Sequence, residues 1–296
     1  MGKALVFDGI TVSNPLQTLT FSDGVSAVVR QYLANLSTSV PDAHAEAFDT
    51  FYHTLKDAGI WNKITCLYPL YGSASDCTYG LIGNPIAIPA GATYDKGLNL
   101  TNASGGFGAD GKGIKILDYF PSTTTTNYSM FVNYPYGWTT SQRGYPLVFA
   151  RDSVRDNPST NSPGRFLGQA WNSTNSNFMD IRASLASEAG ISNTLRYTVA
   201  EGSKGLFGET HSFSSGSGAH YLYYEGTAVA SNVGSAYTAV DNNGKLGINA
   251  SAQASQTSHL MNVPINMVIV CNGYALSSSD VATLSTAVAA LVDVIF

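Results

Sequence analysis

Two hydrophobic periods alternate along this chain, and its long β-type stretch begins near residue 60. Residues 1–22, MGKALVFDGITVSNPLQTLTFS, alternate apolar and polar positions with β-branched and aromatic choices, which predicts one or two extended strands. Such an arm cannot bury both faces alone. Its apolar residues, Phe7, Ile10, Val12 and Leu16 among them, must pair with the rest of the chain, a sister subunit or another protein's sheet edge. Asp23 can then cap a helix in which Val25, Val28, Val29, Tyr32, Leu33 and Leu36 share helical spacing. Pro41 and Asp42 open a second helix, with Phe48, Phe51, Tyr52 and Leu55 on one face and Gly59 at its end. That stripe reads as packing surface, seated on a sandwich or between subunits, and not as a cofactor box.

From Ile60 onward the pattern is β almost to the end. Short apolar or alternating runs recur: ITCLYPLYG, GIKILDYF, YSMFVNYPYG, YPLVFAR, RFLGQAW, LRYTVAEG, AHYLYYEGTAVAS, KLGINAS and VPINMVIVCNGYAL. Clusters of Gly, Pro, Asn and Ser separate them, as in an antiparallel sandwich or barrel. Asp241-Asn242-Asn243-Gly244 reads as a hairpin turn, since Asn and Gly tolerate positive φ, and Glu225-Gly226 as another. Ser277 to Asp280 forms a helix cap, after which Val281, Leu284, Val288 and Leu291 recur at helical spacing. No internal repeat of fixed period appears, which argues against a solenoid or propeller.

Composition narrows the class of protein. Only 12% of residues are charged, about half the usual share for soluble domains, so solubility rests on Ser, Thr, Asn and Gly. Net charge is −5 and the 15 Lys and Arg are scattered, which argues against a nucleic-acid partner. Cys66, Cys77 and Cys271 are odd in number and lack metal spacing, fitting buried thiols better than a disulfide framework; a Cys66–Cys77 bridge is the minority alternative. Neither a secretory leader nor an apolar run of membrane-spanning length is expected, and Val6 spoils the myristoylation pattern begun by Met1-Gly2. Synthesis in a reducing cytoplasm without membrane insertion follows as the expectation.

The last eighty residues resemble the laminin-G-like, concanavalin-like jelly roll. They contain His220-Tyr221-Leu222-Tyr223-Tyr224-Glu225-Gly226, then Leu246-Gly247-Ile248, then Met267-Val268-Ile269-Val270, and Ala275-Leu276-Ser277-Ser278-Ser279-Asp280. Order and spacing agree with the carboxy-terminal half of that fold. The segment from Ala47-Phe48 through Leu70, with FYHTLKDAGIWNKITCLYPLYG, resembles the helix that enters such sandwiches in bacteriophage virion proteins, and GADGKGIKILDYFPS resembles the strand and turn after it. The resemblance implies a mainly β chain: a docking segment over 1–40, an amphipathic connecting helix over 41–59, and a LamG-like sandwich with a carboxy-terminal helix over 60–296. It implies a non-enzymatic virion-surface protein, a capsid (head) fibre or decoration protein, with a tail fibre or receptor-binding protein as the alternative. Partners would be other virion proteins, and such fibres are commonly homotrimers. Phe7, Ile10, Val12, Leu16, Phe48, Phe51, Tyr52 and Leu55 are the candidate docking or oligomer residues.

A glycan-active enzyme on the same sandwich is the rival. Glycosidases of this scaffold place paired acids on one strand, as E-x-D-x-E or E-x-D-x-x-E, and neither pattern occurs. Glu46, Glu188, Glu201, Glu209 and Glu225 stand far apart. Gly106 to Gly111 matches G-x-G-x-x-G by letters, but a strand-like run follows where a helix is required. His44, His53, His211, His220 and His259 show no metal spacing; His44 and His53 read as solvated and His220 as a satisfied strand histidine. Asp241, Asn242 and Asn243 could supply Ca²⁺ oxygens, but the hairpin uses them, and no metal or cofactor is expected. Tyr134, Tyr136 and Trp138, in a Pro/Gly-rich loop, are candidate contacts for a host-surface glycan; the alternative is that they pack on the sandwich rim.

Overall fold

A computed structural model describes residues 24–106, 113–120, 127–136, 148–150, 165–170, 178–187, 190–200, 202–214, 217–235, 244–248 and 264–296. The helices are α1 (Ala27–Ala34), α2 (Asp42–Asp57) and α3 (Ser278–Ile295). The strands are β1 (Cys66–Tyr68), β2 (Thr93–Tyr94), β3 (Leu98–Asn99), β4 (Ile114–Phe120), β5 (Tyr128–Tyr134), β6 (Val148–Ala150) and β7 (Arg165–Ala170). They continue with β8 (Phe178–Ser187), β9 (Gly190–Ala200), β10 (Gly205–Ser214), β11 (Ser217–Tyr224), β12 (Thr227–Ser235), β13 (Gly244–Ile248) and β14 (Met267–Asn272). One antiparallel sheet runs β1-β14-β5-β10-β11-β12 and the other β4-β13-β6-β7-β8-β9, with β2–β3 a separate hairpin. Sequence-distant strands are neighbours in both sheets, and the architecture is an antiparallel β-sandwich of jelly-roll type.

The space between the sheets holds one core. From β5 it receives Tyr128, Met130, Val132 and Tyr134, from β14 Val268 and Val270, and from the facing sheet Ile114, Ile116, Leu195, Val199, Leu246 and Ile248. The intervening residues of the same strands, Phe131, Met267, Ile269 and Cys271, enter a second core under the helices. Every residue of β5 is buried for this reason: the sheet is covered on both faces, so YSMFVNY reads as a continuous apolar run and not as an alternation.

The helical layer is part of the molecule's interior. Val29, Tyr32, Leu33 and Leu36 from the first helical segment lie in one cluster with Phe48, Phe51, Tyr52 and Leu55 of α2 and Val281, Leu284, Val288 and Leu291 of α3. Phe48 and Leu55 are fully buried, so the stripe expected to dock on a subunit or particle is covered by the chain itself. The first helix starts after Ser26, whose amide donates to Asp49 Oδ1 at 2.7 Å and ties α1 to α2; Asp23 lies outside the described residues. Residues 24–40 thus pack on the sandwich and do not stand away from it as a docking segment. α2 begins and ends as expected, with Pro41 before it and Gly59 at φ 69° after it. A capping box joins Ser277 and Asp280 at the start of α3, and Asp280 also accepts from Lys63 Nζ at 2.9 Å. With 18 residues, α3 is long and apolar enough to cross a membrane by length and composition, contrary to the sequence expectation, but its apolar stripe is seated in the second core.

Four strands lie where the sequence pattern gave no expectation: the short β2 and β3, and the long β8 and β10. The Glu225-Gly226 turn is present, with φ of 48° and 78° as a type I′ hairpin needs. Glu225 Oε1 accepts the Leu206 amide at 2.6 Å; burial raises the pKa of this carboxyl and that bond partly offsets it. The hairpin expected at Asp241–Gly244 and most of the Gly106–Gly111 loop lie outside the described residues.

Candidate functional site

Strand β10 turns Phe207, Glu209 and His211 toward the space between the sheets, because alternate residues share a face. Register then aligns polar groups across five strands. His211 stands opposite Tyr128 of β5 and His220 of β11, Tyr128 opposite Asn272 of β14, and His220 opposite Asn232 of β12. Glu209, one pair further along, lies opposite Leu222 and Met130. Glu209, His211 and His220 are each 0% exposed. His220 Nε2 and Glu209 Oε2 are 2.6 Å apart, the Tyr128 ring stacks on His211 at 5.3 Å, and the two imidazole centroids are 6.2 Å apart.

Buried polar groups of this kind are costly unless bonded. The Glu209–His220 contact satisfies one oxygen and one nitrogen, leaving Glu209 Oε1 and His220 Nδ1 without a hydrogen-bond partner. His220 is therefore satisfied on one side only. Among the described residues no three His, Cys, Asp or Glu side chains lie close enough together to hold a metal ion. A single enclosed carboxylate paired to an imidazole is also not the two-carboxylate cleft of a glycosidase.

A second constellation lies at the surface. Tyr136 follows β5, and its hydroxyl donates to Asp95 Oδ1 at 3.0 Å. Asp95 belongs to the tight loop of the β2–β3 hairpin, closed by its own amide on the Gly97 carbonyl at 2.9 Å, with Lys96 at φ 50°. Asp95 and Lys96 are exposed, and Tyr136 is half-buried beside them. The fold thereby brings together an aromatic ring and a carboxylate from positions 41 residues apart, with Lys96 next to Asp95 in the chain. Tyr134 is not part of this group. It is 1% exposed, faces the core and meets Phe207 edge-on at 5.6 Å, so its ring has no face for a ligand. Trp138, with Phe7, Ile10, Val12 and Leu16, lies outside the described residues.

A third polar centre is structural. Asp76, 2% exposed, accepts hydrogen bonds from the Ser37 amide and hydroxyl, the Thr38 amide and hydroxyl, and the Ser73 hydroxyl. Burial would raise its pKa, but the Thr38 and Ser37 bonds and that from Ser73 outweigh it and hold the carboxyl below its ordinary value. This clamp fixes the α1–α2 connection to the loop after β1. His44, expected to be solvated, instead places Nδ1 2.7 Å from the Tyr71 hydroxyl. The three cysteines are free and buried; burial pushes Cys66 up to about 11 and Cys271 up to about 12, which suits unreactive core thiols.

The sequence pattern missed Glu209 and His211 as a unit. The available signal was the alternation Phe207-x-Glu209-x-His211-x-Phe213 before a Ser- and Gly-rich stretch of sequence, which marks one strand face. Lys96 and Asp95 carried no local signal pointing to Tyr136.

No family model matches the chain, and no curated protein matches it. Among solved structures it is similar to domain 4 of AbnA, a GH43 extracellular arabinanase from Geobacillus stearothermophilus, in complex with arabinotriose. That match has 13% identity over 75% of this chain and 98% of the other, at TM-score 0.45. The receptor binding domain of botulinum neurotoxin D is similar at 9% identity over 76% of this chain and 52% of that one, at TM-score 0.49. A mutant of Trypanosoma rangeli sialidase displaying trans-sialidase activity is similar at 12% identity, 84% and 39% coverage, and TM-score 0.49. Likeness at this level concerns the sandwich alone, and the jelly-roll assignment stands on the order and register of the two sheets.

Proposed function

We propose that this chain is a non-enzymatic surface protein of a bacteriophage particle, a head fibre or decoration protein, whose jelly roll binds a host-surface glycan through the Tyr136–Asp95–Lys96 rim. The observation that carries the glycan reading is the Tyr136–Asp95 bond itself, at 3.0 Å, with the exposed Lys96 following Asp95 in the chain. An aromatic ring gives the apolar face of a sugar a surface to stack on, and adjoining charged groups exchange hydrogen bonds with its hydroxyls. The non-enzymatic reading draws support from the enclosure of Glu209, which keeps that carboxylate away from any substrate. The phage assignment draws on the sequence resemblance over residues 47–70 and 108–122. In this reading the segment before Gly24 grips the particle and the chain is a homotrimer.

A glycan array probed with the full chain tests the proposal. Binding to a defined set of glycans is expected, reduced at least tenfold by Tyr136→Ala and by Asp95→Ala at unchanged melting temperature. An array silent for the wild-type protein would count against the glycan reading. Release of shortened saccharides from a bound glycan would instead favour the enzyme alternative.

A further inference from the structure

We propose that Asn266 is the positioning residue of the rim: its buried amide holds Tyr136, just beyond β5, and the hairpin that carries Asp95 in one fixed relation. The inference deepens the glycan reading and rests on it for what the rim binds, while the coupling of Asp95 to Tyr136 can be tested without a glycan.

The β2–β3 hairpin has two residues in each strand, too few to hold its own place. It is fastened through Leu98. The Leu98 amide donates to the Ile265 carbonyl at 2.7 Å, and the Ile265 amide donates back to the Leu98 carbonyl at 3.0 Å. Gly97 lies against the same peptide group, where a Cβ would stand 2.8 Å from the Ile265 carbonyl oxygen. The Tyr94 hydroxyl accepts the Gly72 amide at 3.2 Å, a second tie, but one that leads to the loop after β1 and not to β5.

At Asn266 the chain changes partners: Ile265 bridges to Leu98, whereas Met267 pairs with Asn133 of β5. The backbone amide of Asn266 donates to the Asn133 carbonyl at 3.1 Å, and its Oδ1 accepts from Asn133 Nδ2 at 2.7 Å. From Asn133 the chain runs through Tyr134 to Tyr136. One dipeptide, Ile265-Asn266, therefore grips the hairpin of Asp95 on one side and the strand leading to Tyr136 on the other.

Stability does not explain an asparagine here. Asn266 is 0% exposed and its Nδ2 has no hydrogen-bond partner among the described residues, a cost that an apolar side chain of the same size would avoid. What a buried polar pair contributes is geometry, since its bond forms in one register only. The Tyr136–Asp95 bond cannot supply that geometry itself, because it is exposed and water competes for both groups. The rim inherits its spacing from the buried link.

Carbon NMR of the tyrosine Cζ atoms in the full chain tests this. Asp95→Asn should move the Tyr136 signal, identified as the one lost in Tyr136→Phe. In the double variant Asn133→Leu/Asn266→Leu, which leaves neither amide orphaned, the protein should melt no lower than wild type. Asp95→Asn made in that background should move the Tyr136 signal by less than half as much. Gly97→Ala, which pushes the hairpin off Ile265, should weaken the coupling in the same way and serves if the double variant fails to fold. On any glycan that the wild type binds, both variants should bind about fivefold more weakly, as for the loss of one exposed hydrogen bond. A shift of full size in both variants, or no response of Tyr136 to Asp95→Asn in the wild type, would overturn the proposal. So would loss of the coupling only where the melting transition is lost with it. An array silent for the wild type, with the coupling lost in the folded variants, would remove the glycan reading and leave the role of Asn266 standing.

Discussion

At Gly208 the middle of a six-stranded sheet has no room for a side chain: a Cβ there would overlap the Phe131 ring of β5. Gly208→Ala is expected to destabilise the protein by about 3 kcal/mol through overpacking, measurable as a lower urea midpoint. The Asp76 clamp gives a prediction in pH. Its carboxyl is held below the ordinary value in the folded state, so its contribution is complete above the unfolded pKa near 3.8 and is lost as pH falls through the lower folded value. Asp76→Asn should therefore lower stability at pH 7 and flatten the acid limb of a stability profile below about pH 4. At this scale the sequence was partly legible. The cysteines announced themselves as free thiols by count and spacing, whereas Asp76 is one acid among 20 Asp and Glu until the fold surrounds it with donors.

The elements separate by how local their causes are. α2 and α3 were readable because caps and helical spacing lie within a few residues, and the structure places Pro41, Gly59, Ser277 and Asp280 in those capping roles. Ser277→Ala is expected to cost about 1 kcal/mol, seen as a lower melting temperature. Phe48→Ala should cost about 4 kcal/mol, because the ring is fully buried and meets Tyr32 and Tyr71 edge-on. The same substitution should leave the mass of the folded assembly unchanged, since the stripe is covered within the chain. β10 escaped notice because Gly205, Gly208, Glu209 and Thr210 dilute the apolar alternation that marks a strand. Its partners on both sides, β5 and β11, supply the apolar rows that make the strand form.

For the whole molecule, the boundary between arm and body moves. A chain starting at Ile60 would lose α1 and α2 and leave the second core open, so it should not unfold cooperatively. A chain starting at Gly24 keeps both cores and should melt near the temperature of the full chain. Sedimentation of those two folded species tests the proposed trimer: the full chain should sediment as three copies and the shortened one as a monomer. Equal masses would remove the first 23 residues from any oligomer contact.

By itself, the sequence determined the class of the fold, the two long helices, the Glu225-Gly226 hairpin and the free state of the cysteines. Each depends on short-range pattern: alternation, helical spacing, caps and turn residues. Tertiary structure alone decided that the helices form a third layer on the outer face of one sheet, because burial on both faces of β5 and β14 arises only when distant segments meet. It also decided that Tyr134 is core while Tyr136 meets Asp95, although the two tyrosines lie two residues apart and looked alike. The alignment of Tyr128, His211 and His220 is a matter of register between strands that share no local sequence signal, and register is fixed by packing across the whole sheet.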